Sequence, residues 1–469
     1  KLTLNLGLRW DRDGGYVSAS KTVANYGLSK PPIAINITGN NRPTSWGPAL
    51  FDAPWNKLFA PRVGFAYRAM TNTVIRGGYG IYWQPMTADP IVNISINSPF
   101  EASYGASVDF SNLATFSRTN PLAASSAVGF GATTIQKNFV PGYVQQWNLT
   151  VERSLGANLF SIAYVGNKGT HLVSYDGYNQ ASPGPGPINP RRPFTELLIE
   201  PNAGGIVPAG PLPAGGITYQ ESGRDSNYHA LDLLAKRRFA RDLSFTAAYS
   251  FAKGIDDTSE TYIEGRGLGL QQPFNPKAER ATSDFSARNA LTLSYIYALP
   301  FGAGEHFANG VGGIEGKLIG GWQVEGLTRF QSGFPVGPIF LSFDNLNSGG
   351  GGYPNEICNP NIGGGRGSGA ELAMWFNTSC FAAPPQYTFG NANRGSVIGP
   401  GTQVWDIALQ KNTAVTERLR TEFRAEFFNA FNHPNFDFPN TSFGSPQFGK
   451  ILGTAQPPRQ IQFGLKLIF

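Results

Sequence analysis

The sequence predicts an all-β protein, an antiparallel up-and-down transmembrane β-barrel with about twelve strands in this chain. Three observations predict this fold. Apolar and polar residues alternate in segments along all 469 residues, and short and long connections alternate between those segments. Charged residues are only 14% of the chain, well below the roughly 25% of soluble domains. A coiled coil and a charged disordered chain are therefore excluded.

The alternation is clearest near the first residue, where Leu2, Leu4, Leu6 and Leu8 are separated by single polar or glycine residues. A period of two places successive side chains on opposite faces of a strand. The predicted strands centre on residues 2–10, 62–69, 74–84, 144–154, 158–166, 227–238, 243–253, 288–299, 320–331, 403–411, 417–429 and 459–469.

The connections are sorted by length. Short turns follow the second, fourth, sixth and tenth strands, a medium glycine-rich link follows the eighth, and the other connections run to about 30 to 70 residues. Outer-membrane barrels have short periplasmic turns and long extracellular loops, so the sorting predicts this architecture. A compact soluble domain seldom contains several connections of this length. Glycine runs at 349–352 and 363–365 predict a mobile loop.

The eleventh strand predicts which face points to the lumen. Its charged face carries Arg420, Glu422, Arg424 and Glu426, and its other face is mainly apolar. An arginine facing lipid at the middle of the bilayer costs roughly 2–4 kcal/mol, so the charged face is expected to line the lumen. These side chains either contact a plug or substrate, or form only a cross-strand ladder of ion pairs.

Aromatic residues near strand ends are expected at the membrane–water interface, where an apolar ring and a polar N–H or O–H group are both accommodated. The residues in question are Trp10, Tyr82, Trp83, Trp147, Trp322 and Trp405.

The carboxyl-terminal strand alternates apolar residues up to an aromatic last residue. This pattern resembles the assembly signal that the barrel-insertion machinery reads in bacterial outer-membrane proteins. The residues that carry it are Ile461, Phe463, Leu465, Leu467 and Phe469.

Several motifs also resemble, in their order, large TonB-dependent outer-membrane receptors of the Oar-like subgroup. They include LTLNLGLRWD at 2–11, IRGGYGIYW at 75–83, SFTAAYSFAKGIDD at 244–257 and RTEFRAEFFNAFNHPNF at 420–436. The resemblance implies a 22-stranded barrel, an amino-terminal plug and uptake powered through TonB. No plug or TonB-contacting segment is found in the sequence. Residues 1–469 are therefore interpreted as the carboxyl-terminal part of the receptor barrel, although twelve strands closing alone is the alternative.

Three groups of residues were weighed as further sites. Cys358 and Cys380, the two cysteines of the chain, are predicted to form a disulfide in an oxidising compartment. His171 and His229 are placed near one rim of the barrel, but their spacing does not match a metal site. An acidic cluster after the seventh strand either binds Ca²⁺ or is a solvated loop; it consists of Asp256, Asp257, Glu260 and Glu264.

The predicted function is an outer-membrane receptor that binds and imports a solute of unidentified chemistry. Expected partners are outer-membrane lipid, the barrel-assembly machinery, an extracellular substrate, and TonB through an amino-terminal region. Neither catalysis nor a cofactor is expected. With a net charge of +6 and scattered basic residues, nucleic acid is not an expected partner. The alternatives are a plug-less porin-like channel, a surface adhesion or scaffold protein, and an outer-membrane hydrolase.

Overall fold

The computed structural model describes residues 1–13, 33–35, 55–84, 130–199, 210–240, 242–259 and 271–469. The strands in these ranges are β1 Leu2–Asp13, β2 Ile33–Ile35, β3 Trp55–Met70, β4 Thr73–Gln84, β5 Phe130–Ile135, β6 Gly142–Leu155, β7 Asn158–Gly177, β8 Glu196–Ile199, β9 Gly210–Ala240, β10 Leu243–Asp256, β11 Ala281–Thr282, β12 Asn289–Ala298, β13 Trp322–Gln331, β14 Phe340–Leu341, β15 Asn355–Glu356, β16 Phe381–Ala382, β17 Thr402–Ala414, β18 Arg420–Phe428, β19 Ser442–Phe443 and β20 Gln460–Ile468.

In the described ranges, helical structure is limited to two α-helices and three 3₁₀ turns, all of them short. The two α-helices are α1 Gly313–Ile319 and α2 Ser368–Ala373, and single 3₁₀ turns occupy Asn189–Arg191, Pro276–Glu279 and Thr378–Cys380. Within the described ranges, no helix has the length and apolar character needed to cross a membrane.

Twelve strands form one continuous antiparallel path, in the order β1-β3-β4-β6-β7-β9-β10-β12-β13-β17-β18-β20. Each strand of the path pairs with the next one along the chain, which confirms the all-β up-and-down prediction. In the part of the chain that the structure describes, β1 pairs only with β3, and β20 pairs only with β18. The alternation did not predict the small parallel pairs β2–β8, β5–β9 and β14–β19.

Two strands are much longer than predicted. β7 continues to Gly177, and β9 begins at Gly210. Beyond Gly169 their pairing contains register shifts, which identify β-bulges. The regular alternation stops at these bulges. For that reason the predicted end of β7 is too early and the predicted start of β9 is too late.

The sheet has two different ends. At the short-turn end, β3–β4, β6–β7, β9–β10 and β17–β18 follow each other after a few residues, and the link that contains α1 joins β12 to β13. At the long-loop end, much longer segments connect the strands, including residues 332–401 and 429–459. The predicted sorting of the connections is confirmed.

The cross-strand register also gives the sheet two different faces. The apolar face includes Leu4, Phe65, Val151, Ile162, Leu233, Tyr249, Leu291, Leu409, Phe423 and Phe463. The polar face includes Asn5, Arg76, Asn148, Asp232, Thr246, Ser294, Glu325, Gln410, Arg424 and Gln462. Leu6 is 79% exposed and Leu465 is 69% exposed. A continuous apolar surface of this kind indicates contact with a membrane or a partner.

The hydrophobic core of the described chain lies at the long-loop end. Residues 332–401 and 429–459 pack together there, and we call them the loop module. The main cluster of buried apolar side chains in it consists of Val336, Ile339, Tyr353, Phe376, Cys380, Phe381, Ala392 and Val397. In the glycine run 349–352, Gly352 lies against the side chains of Leu341 and Leu346.

Candidate functional site

A disulfide closes the centre of the loop module. Cys358 and Cys380 are bonded across a sequence separation of 22 residues, with their Cα atoms 4.9 Å apart. Cys380 is buried in the core, and the backbone N–H of Ile357 donates to its carbonyl oxygen at 2.9 Å. The covalent link therefore joins two segments that are also paired through β15 and β16.

Hydrogen bonds from two charged side chains, Arg366 and Glu371, hold the glycine-rich segment 363–367 that precedes α2. The Arg366 guanidinium donates to the carbonyl oxygens of Gly363, Met374 and Trp375 at 3.0, 3.0 and 3.3 Å. Glu371 accepts a hydrogen bond from the backbone N–H of Gly365 at 2.7 Å. These bonds fix a segment whose glycine content alone indicates flexibility.

A buried arginine ties the loop module to the sheet. Arg394, which is 7% exposed, forms ion pairs with Asp256 at the end of β10 and with Asp284, the second at 3.0 Å. Its guanidinium also donates to the hydroxyl of Ser259. Because few other charges can replace these contacts in a buried site, we expect the module to depend on Arg394 for its position.

A second buried arginine lies between the extensions of β7 and β9. Arg224 is fully buried, pairs with Asp176 and with Glu221 at 3.1 Å, and donates to the hydroxyl of Ser174 at 2.9 Å. Next to it, the carboxylate of Asp257 accepts the backbone N–H of Asp225 at 2.8 Å. These contacts join the extended parts of β7 and β9 to each other and to Asp257, which directly follows β10.

Carboxyl groups outnumber the two arginines in this region. Burial raises the pKa of Glu279 and of Asp284, while the nearby Arg394 partly opposes both shifts. Burial also raises the pKa of Asp257. Glu279 accepts a hydrogen bond from the Tyr353 hydroxyl at 3.2 Å. Ionising these groups is therefore less favourable in the folded chain than in the unfolded chain.

The stability of the loop module is expected to fall as the pH rises above the ordinary glutamate pKa. A carboxyl group with a raised folded-state pKa contributes stability at low pH, and this contribution disappears as the pH passes through the raised value. Glu279→Gln removes one such group and is expected to reduce the loss of stability between pH 5 and pH 8. Urea unfolding in detergent, followed by tryptophan fluorescence, measures the loss. Equal pH dependence in the variant and the parent chain contradicts this prediction.

The acidic cluster considered from the sequence is only partly described. Asp256 binds Arg394 and Ser259, and Asp257 accepts the Asp225 amide, so both carboxylates are engaged within the protein. Glu260 and Glu264 lie outside the described residues. Among the residues with described positions, no three His, Cys, Asp or Glu side chains form a group able to hold a metal ion.

The two candidate histidines are not brought together. The His229 ring contacts Tyr164, whose hydroxyl lies 2.8 Å from His229 Nδ1. His171 Nδ1 lies 3.1 Å from the carbonyl oxygen of Ser222. His229 pairs with Gly166, so His171 lies five residues farther along β7, a distance of roughly 16 Å. The structure therefore offers no shared site for His171 and His229.

The four charges of the eleventh predicted strand lie on the polar face, on β18. Arg424 forms ion pairs with Glu325 of β13 at 3.1 Å and with Glu426 at 3.2 Å. Glu422 is the cross-strand neighbour of Lys466 on β20. Sequence reasoning missed Glu325, although its place in the alternation of β13 puts it on this face. Charges on β13, β18 and β20 thus lie close together on the polar face, with β17 between the first two of these strands.

The polar face also contains a trough of about 350 Å³. Its lining comes from five adjacent strands, β10, β12, β13, β17 and β18, and includes Ser244, Ser294, Glu325, Asp406 and Glu426. The trough therefore runs across five neighbouring strands of the sheet. Such a surface can bind a polar solute or a second polar surface.

Tryptophans mark both ends of the sheet. Trp10 and Trp83 donate their indole N–H groups to the carbonyl oxygens of Asn56 and Phe59, at 2.8 and 2.9 Å. At the short-turn end, Trp322 donates to Leu318, and the Lys411 ammonium lies 4.8 Å from a Trp322 ring centre. Trp10 is exposed, and Trp83 and Trp322 are half-buried. Partly exposed rings with satisfied N–H groups are typical of residues at a membrane interface.

Sequential antiparallel strands, an exposed apolar face, an opposite polar face and sorted connections define the class of membrane-spanning β-barrel proteins. The chain belongs to the outer-membrane β-barrel domain family, whose model matches residues 1–462. The protein is accordingly located in the cell outer membrane. No curated protein matches the sequence.

Solved structures with a similar fold include several outer-membrane transporters and receptors. The transporter YddB from Escherichia coli is 10% identical, with a TM-score of 0.45 over 88% of this chain and 41% of that chain. The ferric-catecholate import receptor Fiu from Escherichia coli K12 is 11% identical, with a TM-score of 0.42 over 100% of this chain and 42% of that chain. The ferripyoverdine receptor of Pseudomonas aeruginosa is 12% identical, with a TM-score of 0.41 over 88% of this chain and 33% of that chain. This chain spans less than half the length of each.

Proposed function

We propose that this chain forms part of the barrel of a TonB-dependent receptor, which binds a solute outside the cell and imports it across the outer membrane. The observation that carries the proposal is the two-faced sheet with sorted connections, of which two long ones, residues 332–401 and 429–459, form the loop module. The order of the motifs, which resembles that of Oar-like receptors, supports the receptor class. TonB would be contacted through a region outside this chain.

The proposed orientation places the apolar face in lipid and the polar face in the lumen. Arg420, Glu422, Arg424 and Glu426 then face a plug or the substrate path. The trough between Glu325 and Asp406 supports this, because a recessed polar surface suits a packed plug or a polar solute better than lipid. The loop module is then extracellular and contacts the substrate first.

The barrel is proposed to be completed by further strands. β1 and β20 each have one unpaired edge within the described residues, and unpaired backbone groups are not tolerated in lipid. Pairing of both edges with the remaining strands of a 22-stranded receptor satisfies these groups. Within β20, the alternating residues that end at Phe469 are proposed as the signal that the assembly machinery reads.

The orientation is tested by charged substitutions on the two faces of β20. Phe463 lies on the apolar face and is 67% exposed, whereas its neighbour Gln462 lies on the polar face. Phe463→Arg is expected to destabilise the barrel by roughly 2–4 kcal/mol, because the guanidinium then faces lipid. The control Gln462→Arg is expected to change stability much less. Urea unfolding in phospholipid vesicles measures both, and equal losses refute the orientation.

The function is tested with the intact protein purified from its native membrane. In planar bilayers a plugged receptor shows no steady conductance, and it binds the purified carboxyl-terminal domain of TonB. A steady open conductance without TonB binding supports a plug-less porin-like channel and refutes the proposal. A closed barrel without TonB binding supports an adhesion or scaffold protein and also refutes it.

A further inference from the structure

A groove of about 440 Å³ lies on the apolar face of the sheet. It crosses β6, β7, β9, β10 and β12, and its walls include Phe160, Ile162 and Tyr249. One end of the groove is lined by Arg153. The proposed function assigns no role to this groove.

Two small side chains produce the groove. Ala235 of β9 and Ala247 of β10 are direct cross-strand partners. The adjacent pair on the same face, Leu233 and Tyr249, is large. Phe160 of β7 pairs with Ala235 from the other side. Two methyl groups among large side chains therefore leave a cleft with an apolar floor and apolar walls.

The short-turn side of the groove is positively charged. Arg153 pairs with Phe160 across β6 and β7, and Arg237 lies two residues beyond Ala235 on the same face. Arg237 donates to the carbonyl oxygen of Ala240 at 2.9 Å, while its Nε is buried without a hydrogen-bond partner. Within the described residues, neither arginine forms an ion pair with a carboxylate. Two guanidinium groups on a membrane-facing surface are costly unless an anion compensates them.

We propose that the groove binds an anionic phospholipid from the membrane leaflet at the short-turn end. One acyl chain occupies the cleft over Ala235 and Ala247, and the phosphate accepts hydrogen bonds from Arg153 and Arg237. The geometry fits, because two residues of a strand span roughly 7 Å, which places the charges just beyond the apolar cleft. Guanidinium groups recognise phosphate by bidentate, charge-assisted hydrogen bonds. This proposal rests on the proposed orientation of the apolar face.

The test measures lipid binding to the intact protein in dodecyl maltoside by native mass spectrometry. Phosphatidylglycerol and phosphatidylcholine with the same acyl chains are the two probes. Phosphatidylglycerol is expected to bind more tightly. The double variant Arg153→Gln, Arg237→Gln is expected to bind phosphatidylglycerol about 10- to 30-fold more weakly. The reason is that each arginine near an anionic headgroup raises the affinity by a factor of roughly three to five. Equal binding of the two lipids overturns the proposal.

The control variant is Arg68→Gln, which removes a charge from the polar face near the same end of the sheet. It is expected to retain phosphatidylglycerol as the parent protein does, and equal weakening in the control and the double variant overturns the proposal. Ala247→Leu, which keeps both arginines and fills the cleft, is expected to weaken binding as well, and unchanged binding counts against the cleft. If Phe463→Arg destabilises the barrel more than Gln462→Arg, the proposed orientation stands. Equal binding of the two lipids in that case refutes the lipid site alone.

Discussion

Arg394→Ala is expected to destabilise the packing of the loop module on the sheet by about 3–5 kcal/mol, the usual cost of removing one partner from a buried ion pair. The substitution leaves Asp256, which is buried, without its cation, and it leaves Asp284 without one of its contacts. Limited proteolysis of the intact protein in detergent, followed by mass spectrometry, is expected to show faster cleavage within residues 332–401.

The matched control is Arg280→Ala, because Arg280 carries the same charge in a neighbouring loop but is exposed. Its effect is expected to stay within about 0.5 kcal/mol. The double variant Arg394→Ala, Asp256→Ala tests the mechanism, since removing both charges is expected to cost less than the sum of the single changes. Two outcomes contradict the proposed link between the loop module and the sheet. One is a loss of stability in the double variant equal to the sum of the losses in the single variants, and the other is equal cleavage rates in Arg394→Ala and the control.

Removal of the disulfide is expected to destabilise the loop module by about 3 kcal/mol, the value for closing a loop of this length in the unfolded chain. The double variant Cys358→Ser, Cys380→Ser tests this, and urea unfolding together with proteolysis of residues 358–380 measures the change. The sheet is expected to unfold at an unchanged urea concentration, because the disulfide lies wholly inside the module.

Reduction of the parent protein serves as the control, because it opens the same bond without a substitution. Intact mass after alkylation is expected to show both thiols labelled only after reduction. A double variant as resistant to protease as the parent protein contradicts a stabilising role, and two thiols that react without reductant contradict the disulfide.

The strands and their faces could be predicted because their signal is local. Leu465 and Lys466 point to opposite faces through the period of two alone, and the length of each connection can be counted along the chain. The position of the four charges on β18 followed from the same rule. The two cysteines could be paired because the chain contains no others.

The contacts that organise the long-loop end could not be predicted, because they join distant residues without a repeating pattern. Arg394 and Asp256 are separated by 138 residues, and Arg424 and Glu325 by 99. The extended parts of β7 and β9 were missed because bulges interrupt the alternation. How far His171 lies from His229 could not be predicted either, since that distance depends on the register between β7 and β9.

The sequence by itself thus determined the strands, their two faces, the sorting of the connections and the class of membrane protein, because each depends on neighbours along the chain. Only the tertiary structure decided how residues 332–401 pack on residues 429–459, which carboxylates meet Arg224 and Arg394, and where Ala235 and Ala247 open a groove. Those features depend on which side chains the folded backbone brings within contact distance, and that information is distributed over the whole chain.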